Sequence, residues 1–298
     1  MKMHADQFDT SLELARELVD SQFPQWSDRA LTEVRSTGTS NAMYRLGADK
    51  VVRLPLQPGA ERSVGNEHRW LPELAPMLPL DVPVALGRGQ PTDDFPSVWS
   101  ICPWLPGEDG TSAGDIDLAQ AAVDLAGFMR ALQSCDTAGA PRPKPEWRGR
   151  GVPLATRAES VHRSLRKSTH LVDSDALLVV WSEAVGADVW PHDPVWVHGD
   201  IAAGNLLFLD GRLSAAIDWS PMGVGDPACD LIVAWEVFDH AARQSLRTEL
   251  DVDDATWLRS RGWALSTAID AAYYYEHSNQ FMFDQAMHKL NVLLTDPT

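Results

Sequence analysis

The chain is short of positive charge. Its 25 lysines and arginines stand against 42 aspartates and glutamates, a formal net charge of −17. A protein that grips a phosphate backbone needs a basic face, so the balance argues against a nucleic-acid partner. It suits a cationic small molecule, and solubility accounts for it equally well. Cysteine is scarce too: Cys102, Cys135 and Cys229 lie far apart and form no C-x-x-C pair. That speaks against a disulfide framework and against structural zinc. No apolar run is long enough to span a membrane. The stretch "MKMHADQFDTSLELARELVD" has no apolar core for a signal peptide. The expectation is a cytoplasmic protein with no membrane partner. Internal repeats and long low-complexity segments are lacking. So is the G-x-S-x-G turn that many hydrolases use to present a nucleophile.

What is present is an ordinary globular composition, 44% hydrophobic and 22% charged over 298 residues. That is enough for one large domain or two lobes with cores of their own. Residues 8–19 carry Phe8, Leu12, Leu14, Ala15 and Leu18 near helical spacing. "TEVRSTGTSNAMYRLGADKVVRLPL" then alternates short apolar runs with turn residues, which predicts antiparallel strands with a hairpin turn at "GADK". A helix is predicted from about Ala60 to Leu74, and "PSVWSICPW" reads as a buried strand. The Pro/Gly cluster "CPWLPGEDGTSAGD" marks a hinge near residues 100–108. Beyond it the chain turns helical: "DIDLAQAAVDLAGFMRALQSC", then 154–169 and 173–188, and after an interruption 227–248 and 254–294. The basic run in "GAPRPKPEWRGRGVP" reads as a loop. The fold class is α+β, with a small first lobe over 1–103 and a larger, mainly helical second lobe over 104–298.

The interruption is "VWVHGDIAAGNLLFLDGRLSAAIDW", Val195–Trp219. "VWVHGD" is a strand ending in a turn. "NLLFL-DG-RLSAAID" is a hairpin whose arms are joined by Asp210–Gly211, a strong two-residue turn signal. The hairpin carries Asn205 at its start and Asp218 at its end, with Asp200 just before it, so three oxygen-bearing side chains converge at one end of a small sheet. Such a set suits phosphoryl transfer. Magnesium takes carboxylate and amide oxygens together with nucleotide phosphates, and a further carboxylate can orient a substrate hydroxyl. The H-R-D-x-x-x-x-N catalytic loop of kinases stands here as H-G-D-x-x-x-x-N.

On His198-Gly199-Asp200, Asn205, Ile217-Asp218-Trp219 and "GDPACDL" at Gly225–Leu231, the chain resembles the aminoglycoside phosphotransferases, small-molecule relatives of the protein kinases. The resemblance runs from about Ser36 to Tyr275 and implies a two-lobed, protein-kinase-like fold. It implies that Asp200 positions the acceptor hydroxyl and that Asn205 and Asp218 hold Mg2+. Asp230 would anchor the catalytic loop through backbone N–H groups, and Asp226 would cap the helix that follows. His198 and Trp219 would be structural. In the first lobe, Ser36, Thr37, Gly38, Thr39 and Ser40 would take the place of the glycine-rich phosphate loop. Arg53 stands where kinases have a lysine and keeps the charge with a fork suited to phosphate. Glu67 would pair with it. Backbone groups near Ser100 and Cys102 would meet the base, although Pro103 has no N–H to donate.

The implied reaction is transfer of the γ-phosphate of ATP or GTP to a hydroxyl of a small, aminoglycoside-like acceptor. The alternatives are another hydroxylated acceptor (a macrolide, a tuberactinomycin-type peptide or a sugar) or a kinase-like binding protein without transfer. The segment 226–298 holds twelve acidic and five basic residues. Glu236, Asp239, Asp270 and Glu276 are its candidates for meeting a polycation.

Overall fold

The computed structural model describes residues 7–34, 40–142 and 149–295. The chain divides into two compact units, one of Met1–Gly107 with Ala215–Ser220, the other of Glu108–Ser214 with Pro221–Thr298.

The first unit opens on α1 (Leu12–Gln22), which starts later than the apolar spacing suggests because Ser11 caps it, accepting the Leu14 N–H at 3.1 Å. Phe8 is extended instead, its N–H on the Leu56 carbonyl. Strands β1 (Leu31–Val34), β2 (Asn41–Leu46) and β3 (Lys50–Pro55) follow, then α2 (Glu61–Leu74), β4 (Gly87–Gly89) and β5 (Trp99–Pro103). They form one antiparallel sheet in the order β1-β2-β3-β5-β4. The β2–β3 turn falls at Gly47, whose φ of 64° a side chain rarely adopts. Ala15, Leu18 and Val19 of α1 pack on Tyr44, Leu46, Val52, Leu54, Trp99 and Ile101 of the sheet. The apolar face of α2 buries Val64, Trp70, Leu71 and Leu74 at helical spacing, and Glu67 shares that face. Ala215–Ser220 joins this unit through the Asp81–Ala215 bridge, where the Ala216 N–H reaches the Asp81 carbonyl at 3.0 Å.

In the second unit β6 (Glu108–Asp109) leads into α3 (Leu118–Gln133), α4 (Ala158–Lys167) and α5 (Ser174–Gly186). The ribbon of β7 (Val195–Val197) and β10 (Gly223–Gly225) is antiparallel, Gly225 opposite Val195. Between them, β8 (Leu206–Leu209) pairs with β6 and turns into β9 (Arg212–Ala216). Asp210 and Gly211, at φ 52° and 78°, supply the doubly left-handed turn that the Asp-Gly pair predicts. The helical tail breaks into a 3-10 stretch Pro227–Trp235, α6 (His240–Glu249), α7 (Asp254–Tyr275) and α8 (Gln280–Thr295). Asp239 and Asp253 cap α6 and α7, and so set those breaks. Helix α7 is buried along most of its length and packs against α4, α5, α8 and the 3-10 stretch.

Candidate active site

Arg53 lies on β3, opposite Met43 on one neighbouring strand and Ser100 on the other. Its Nη1 donates to Glu67 Oε2 at 2.6 Å, and both residues are buried. Its Nη2 lies 3.6 Å from Asp218 Oδ1. Burial works against the guanidinium charge; the Glu67 and Asp218 carboxylates beside it oppose that, and Arg53 holds its proton above the ordinary range. Burial pushes the Glu67 carboxyl up, and the guanidinium opposes that.

Asp218 has a φ of 59°, a conformation rare outside glycine. Its Oδ1 accepts the Ser220 hydroxyl at 2.8 Å. Trp219 is fully buried, its indole N–H on the Ala216 carbonyl. Ser100 is buried, its Oγ 2.9 Å from His68 Nε2. Cys102 is buried as well, and burial pushes its thiol up, which suits a packing residue rather than a nucleophile. The first N–H after Pro103, that of Trp104, goes to the Asp49 carbonyl at 2.9 Å. Ser40 is exposed, its carbonyl accepting the Leu56 N–H. Ser36, Thr37, Gly38 and Thr39 lie outside the described residues.

In the second unit β7 delivers His198, Gly199 and Asp200. Gly199, at φ 88°, leaves no room for a side chain: a Cβ there would sit 2.7 Å from the Pro221 carbonyl oxygen. Asp230 holds the turn from beneath, Oδ2 accepting the His198 N–H and Oδ1 the Gly199 N–H, each at 2.7 Å. His198 is buried, its Nδ1 accepting the Asp200 N–H at 3.2 Å. Asn205 closes the turn Ala203–Asn205, and its Nδ2 donates to the Asp200 carbonyl at 2.9 Å and to Asp200 Oδ2 at 3.1 Å. With the amide nitrogen turned onto Asp200, the carbonyl oxygen is the end of Asn205 that can face a cation. The other carboxylate oxygen of Asp200, Oδ1, has Arg150 Nη2 at 3.3 Å. Asp226 caps the stretch beginning at Pro227 and takes two bonds from Arg259, at 2.7 and 3.1 Å.

Burial pushes the Asp230 carboxyl up to about 7, against the pull of its two backbone N–H bonds and the Arg150 charge. A carboxyl in the unfolded chain titrates near 3.9. A group raised in the folded state lends stability that is full below about pH 4 and is lost as pH rises to about 7. Denaturant melts of wild type and Asp230→Asn, taken at about pH 5 and about pH 8, are expected to show the wild-type margin shrinking at the higher pH. A margin that grows with pH refutes the assignment.

The four acidic acceptor candidates are all engaged within the chain. Asp270 is surrounded: Arg157 Nη2 at 2.8 Å, the Ser160 hydroxyl on both oxygens, and the Ser164 hydroxyl at 2.6 Å. Glu236 pairs with Lys289 at 3.3 Å, and both are nearly buried. Glu276 takes His170 Nε2 at 2.7 Å. Asp239 caps α6 while staying exposed. Arg150 comes from the segment whose Pro, Gly and basic residues read as a loop, and nothing in the sequence beyond that basic run points from it to Asp200.

A metal must suit these donors. Among the described residues no group of three His, Cys, Asp or Glu side chains could hold one. Magnesium needs no such cage, since it keeps waters and takes phosphate oxygens beside one or two protein oxygens. The Asp218 carboxylate, about a third exposed, and the Asn205 amide oxygen are donors of that kind.

The family model described as "Phosphotransferase enzyme family" matches residues 32–263. An aminoglycoside 3'-phosphotransferase of Escherichia coli is 34% identical over 65 residues, 21% of this chain and 24% of that one, so the match spans about a quarter of the relative. Among solved structures, the GDP complex of a wild-type aminoglycoside 2'-phosphotransferase shares 18% identity at a TM-score of 0.74, over 96% of this chain and 99% of the other. A macrolide 2'-phosphotransferase from Brachybacterium faecium shares 21% at a TM-score of 0.63, over 96% and 98%. Those two likenesses are of fold, the kinase-like fold that the catalytic-loop residues imply. With the family model matching most of its length, the chain belongs to the phosphotransferase enzyme family.

Proposed function

We propose that the protein transfers the γ-phosphate of ATP or GTP to a hydroxyl of a small antibiotic-like molecule, an aminoglycoside first and a macrolide, tuberactinomycin-type peptide or sugar next. The observation that carries the reading is the Asp200 carboxylate, presented on a loop pinned by Asp230, with Asn205 bonded to it. Asp200 accepts the acceptor's hydroxyl hydrogen and aims the oxygen. The new bond forms from that oxygen to the γ-phosphorus as the bond to the bridging oxygen breaks. The proton passes to Asp200 and on to solvent, and nucleoside diphosphate leaves. Little covalent work is asked of the protein, so positioning and charge carry the catalysis.

Arg53, held by Glu67, is the cation for the nucleotide phosphates. Asp218 and Asn205 would hold Mg2+, which supplies neutralising charge on the phosphate oxygens. The relatives carry antibiotic acceptors in their names, and that supports the acceptor class. Asp239 is the exposed acid that favours a cationic one. The deciding experiment is nucleotide consumption, with ATP and with GTP, against kanamycin, erythromycin, tuberactinomycin-type peptides and sugars, with product masses recorded. A product heavier by one phosphoryl group names the acceptor; binding of nucleotide without transfer to any acceptor supports the non-catalytic alternative.

The metal role has its own test. Asp218→Ala is expected to weaken nucleotide binding at least about tenfold in the presence of magnesium and to change metal-free binding little. Equal losses with and without magnesium would remove Asp218 from the metal site.

A further inference from the structure

Arg150 sits on a turn that is fastened to the same two-stranded ribbon that carries the catalytic loop. The next residue, Gly151, has φ 74°, and its carbonyl accepts the Asp226 N–H at 2.9 Å. The backbones cross so closely that a Cβ on Gly225 would lie 2.2 Å from that carbonyl oxygen. Upstream, the Pro141 carbonyl takes the Val224 N–H at 3.0 Å. Val224 and Gly225 belong to β10, and β10 pairs with β7, whose end is His198-Gly199-Asp200. The separation between the Arg150 backbone and Asp200 is therefore set by main-chain bonds and by glycine contact, not by the reach of a long side chain. The guanidinium itself lies 5.7 Å from the ring centre of Trp263, a fully buried residue of α7.

The two oxygens of Asp200 are thus divided between two donors: Oδ2 faces the Asn205 amide and Oδ1 faces Arg150 Nη2. A carboxylate held at both oxygens has one orientation, with its remaining lone pairs turned outward. As a stability device the pair would be weak, because the Asp200 side chain is 41% exposed and that of Arg150 22%, and exposed pairs contribute little. The glycine crossing that fixes the approach is far more construction than a surface pair needs.

We propose that Arg150 is a positioning residue for phosphoryl transfer: it holds the Asp200 carboxylate in the orientation that meets the acceptor hydroxyl. The inference rests on the phosphotransferase reading above. It requires that loss of Arg150 lower turnover while leaving fold and nucleotide binding alone.

The test measures phosphate leaving ATP and GTP in the presence of magnesium, once with kanamycin and once with water as the only acceptor. With water, its oxygen bonds to the γ-phosphorus, the bridging bond breaks, and nucleoside diphosphate, inorganic phosphate and a proton are released. Arg150→Ala is expected to melt with wild type, to keep the nucleotide KM, and to lose roughly tenfold to a hundredfold in kcat, the scale set by misplacement of a catalytic group. Millimolar guanidinium is expected to restore part of that loss in Arg150→Ala and none in Asp200→Asn. Arg150→Lys, with the charge but not the fork, is expected to fall between. If wild type and Arg150→Ala turn over within a few-fold of each other while Asp200→Asn is inactive, the inference is overturned and the phosphotransferase reading stands. Early melting of Arg150→Ala without guanidinium rescue also overturns it, as a structural role. If wild type moves no phosphate from ATP or GTP to kanamycin, erythromycin, a tuberactinomycin-type peptide, a sugar or water, the phosphotransferase reading falls and this inference with it.

Discussion

Asp200→Asn is expected to fold normally, to bind nucleotide nearly as wild type does, and to turn over roughly a hundredfold or more slowly, in line with loss of a general base. The substitution keeps size and one acceptor oxygen. It removes the charge, and it also puts an NH2 where the native group only accepts. The Asn205 amide and the Arg150 guanidinium both donate to this side chain, so whichever way the new amide turns, two donors face each other. If Asp200 only closed the turn after β7, asparagine, a good turn residue, would serve nearly as well. Turnover within a few-fold of wild type, measured on a validated acceptor, would sink the catalytic assignment.

Glu67→Ala carries the largest expected effect on stability. Removing one partner of a buried ion pair leaves the other charge uncompensated, at a cost of about 3–5 kcal/mol. The Arg53–Glu67 pair meets that description: 2.6 Å apart, with side chains 10% and 6% exposed. Asp218, 3.6 Å from the same guanidinium, offsets part of the loss. Denaturant melts are expected to show a drop of that order, together with a raised nucleotide requirement, and Glu67→Gln, which keeps a bonding oxygen, a smaller one. A Glu67 solvated on an exposed helix face would change stability by within about 0.5 kcal/mol on substitution, and that result would withdraw the pair from the proposed nucleotide site.

What the sequence carried was local. The Asp210–Gly211 turn was legible because only a few residue types accept two consecutive left-handed conformations. The apolar spacing of α2 was legible to within a residue, and the H-G-D-x-x-x-x-N spacing pointed to the loop that the structure pins with Asp230. What stayed hidden was long-range. Nothing in the periodicity of α4 and α7 says that Ser160 and Ser164, with Arg157 just ahead of α4, would close on Asp270 across more than a hundred residues, so from sequence Asp270 stands as a candidate for meeting a polycation. Arg150 reaches Asp200 from fifty positions away, by way of a glycine contact that no window of sequence contains. Helix ends were displaced where an aspartate or serine cap overrode the apolar pattern, at Ser11 and Asp239.

The arginine on β3 also changes how the proposed nucleotide site answers chemistry from outside. A lysine in that place would offer a primary amine, nucleophilic whenever it sheds its proton and open to acylation. A guanidinium never sheds its proton in water, and here its carboxylate neighbours hold that proton harder still. Under the proposed function, nucleotide mimics armed with amine-reactive groups would meet Arg53 and leave it unlabelled, and acetylating agents that silence lysine-dependent kinases would find no handle at that strand position. Covalent chemistry aimed at the proposed nucleotide site has to find another residue to hold.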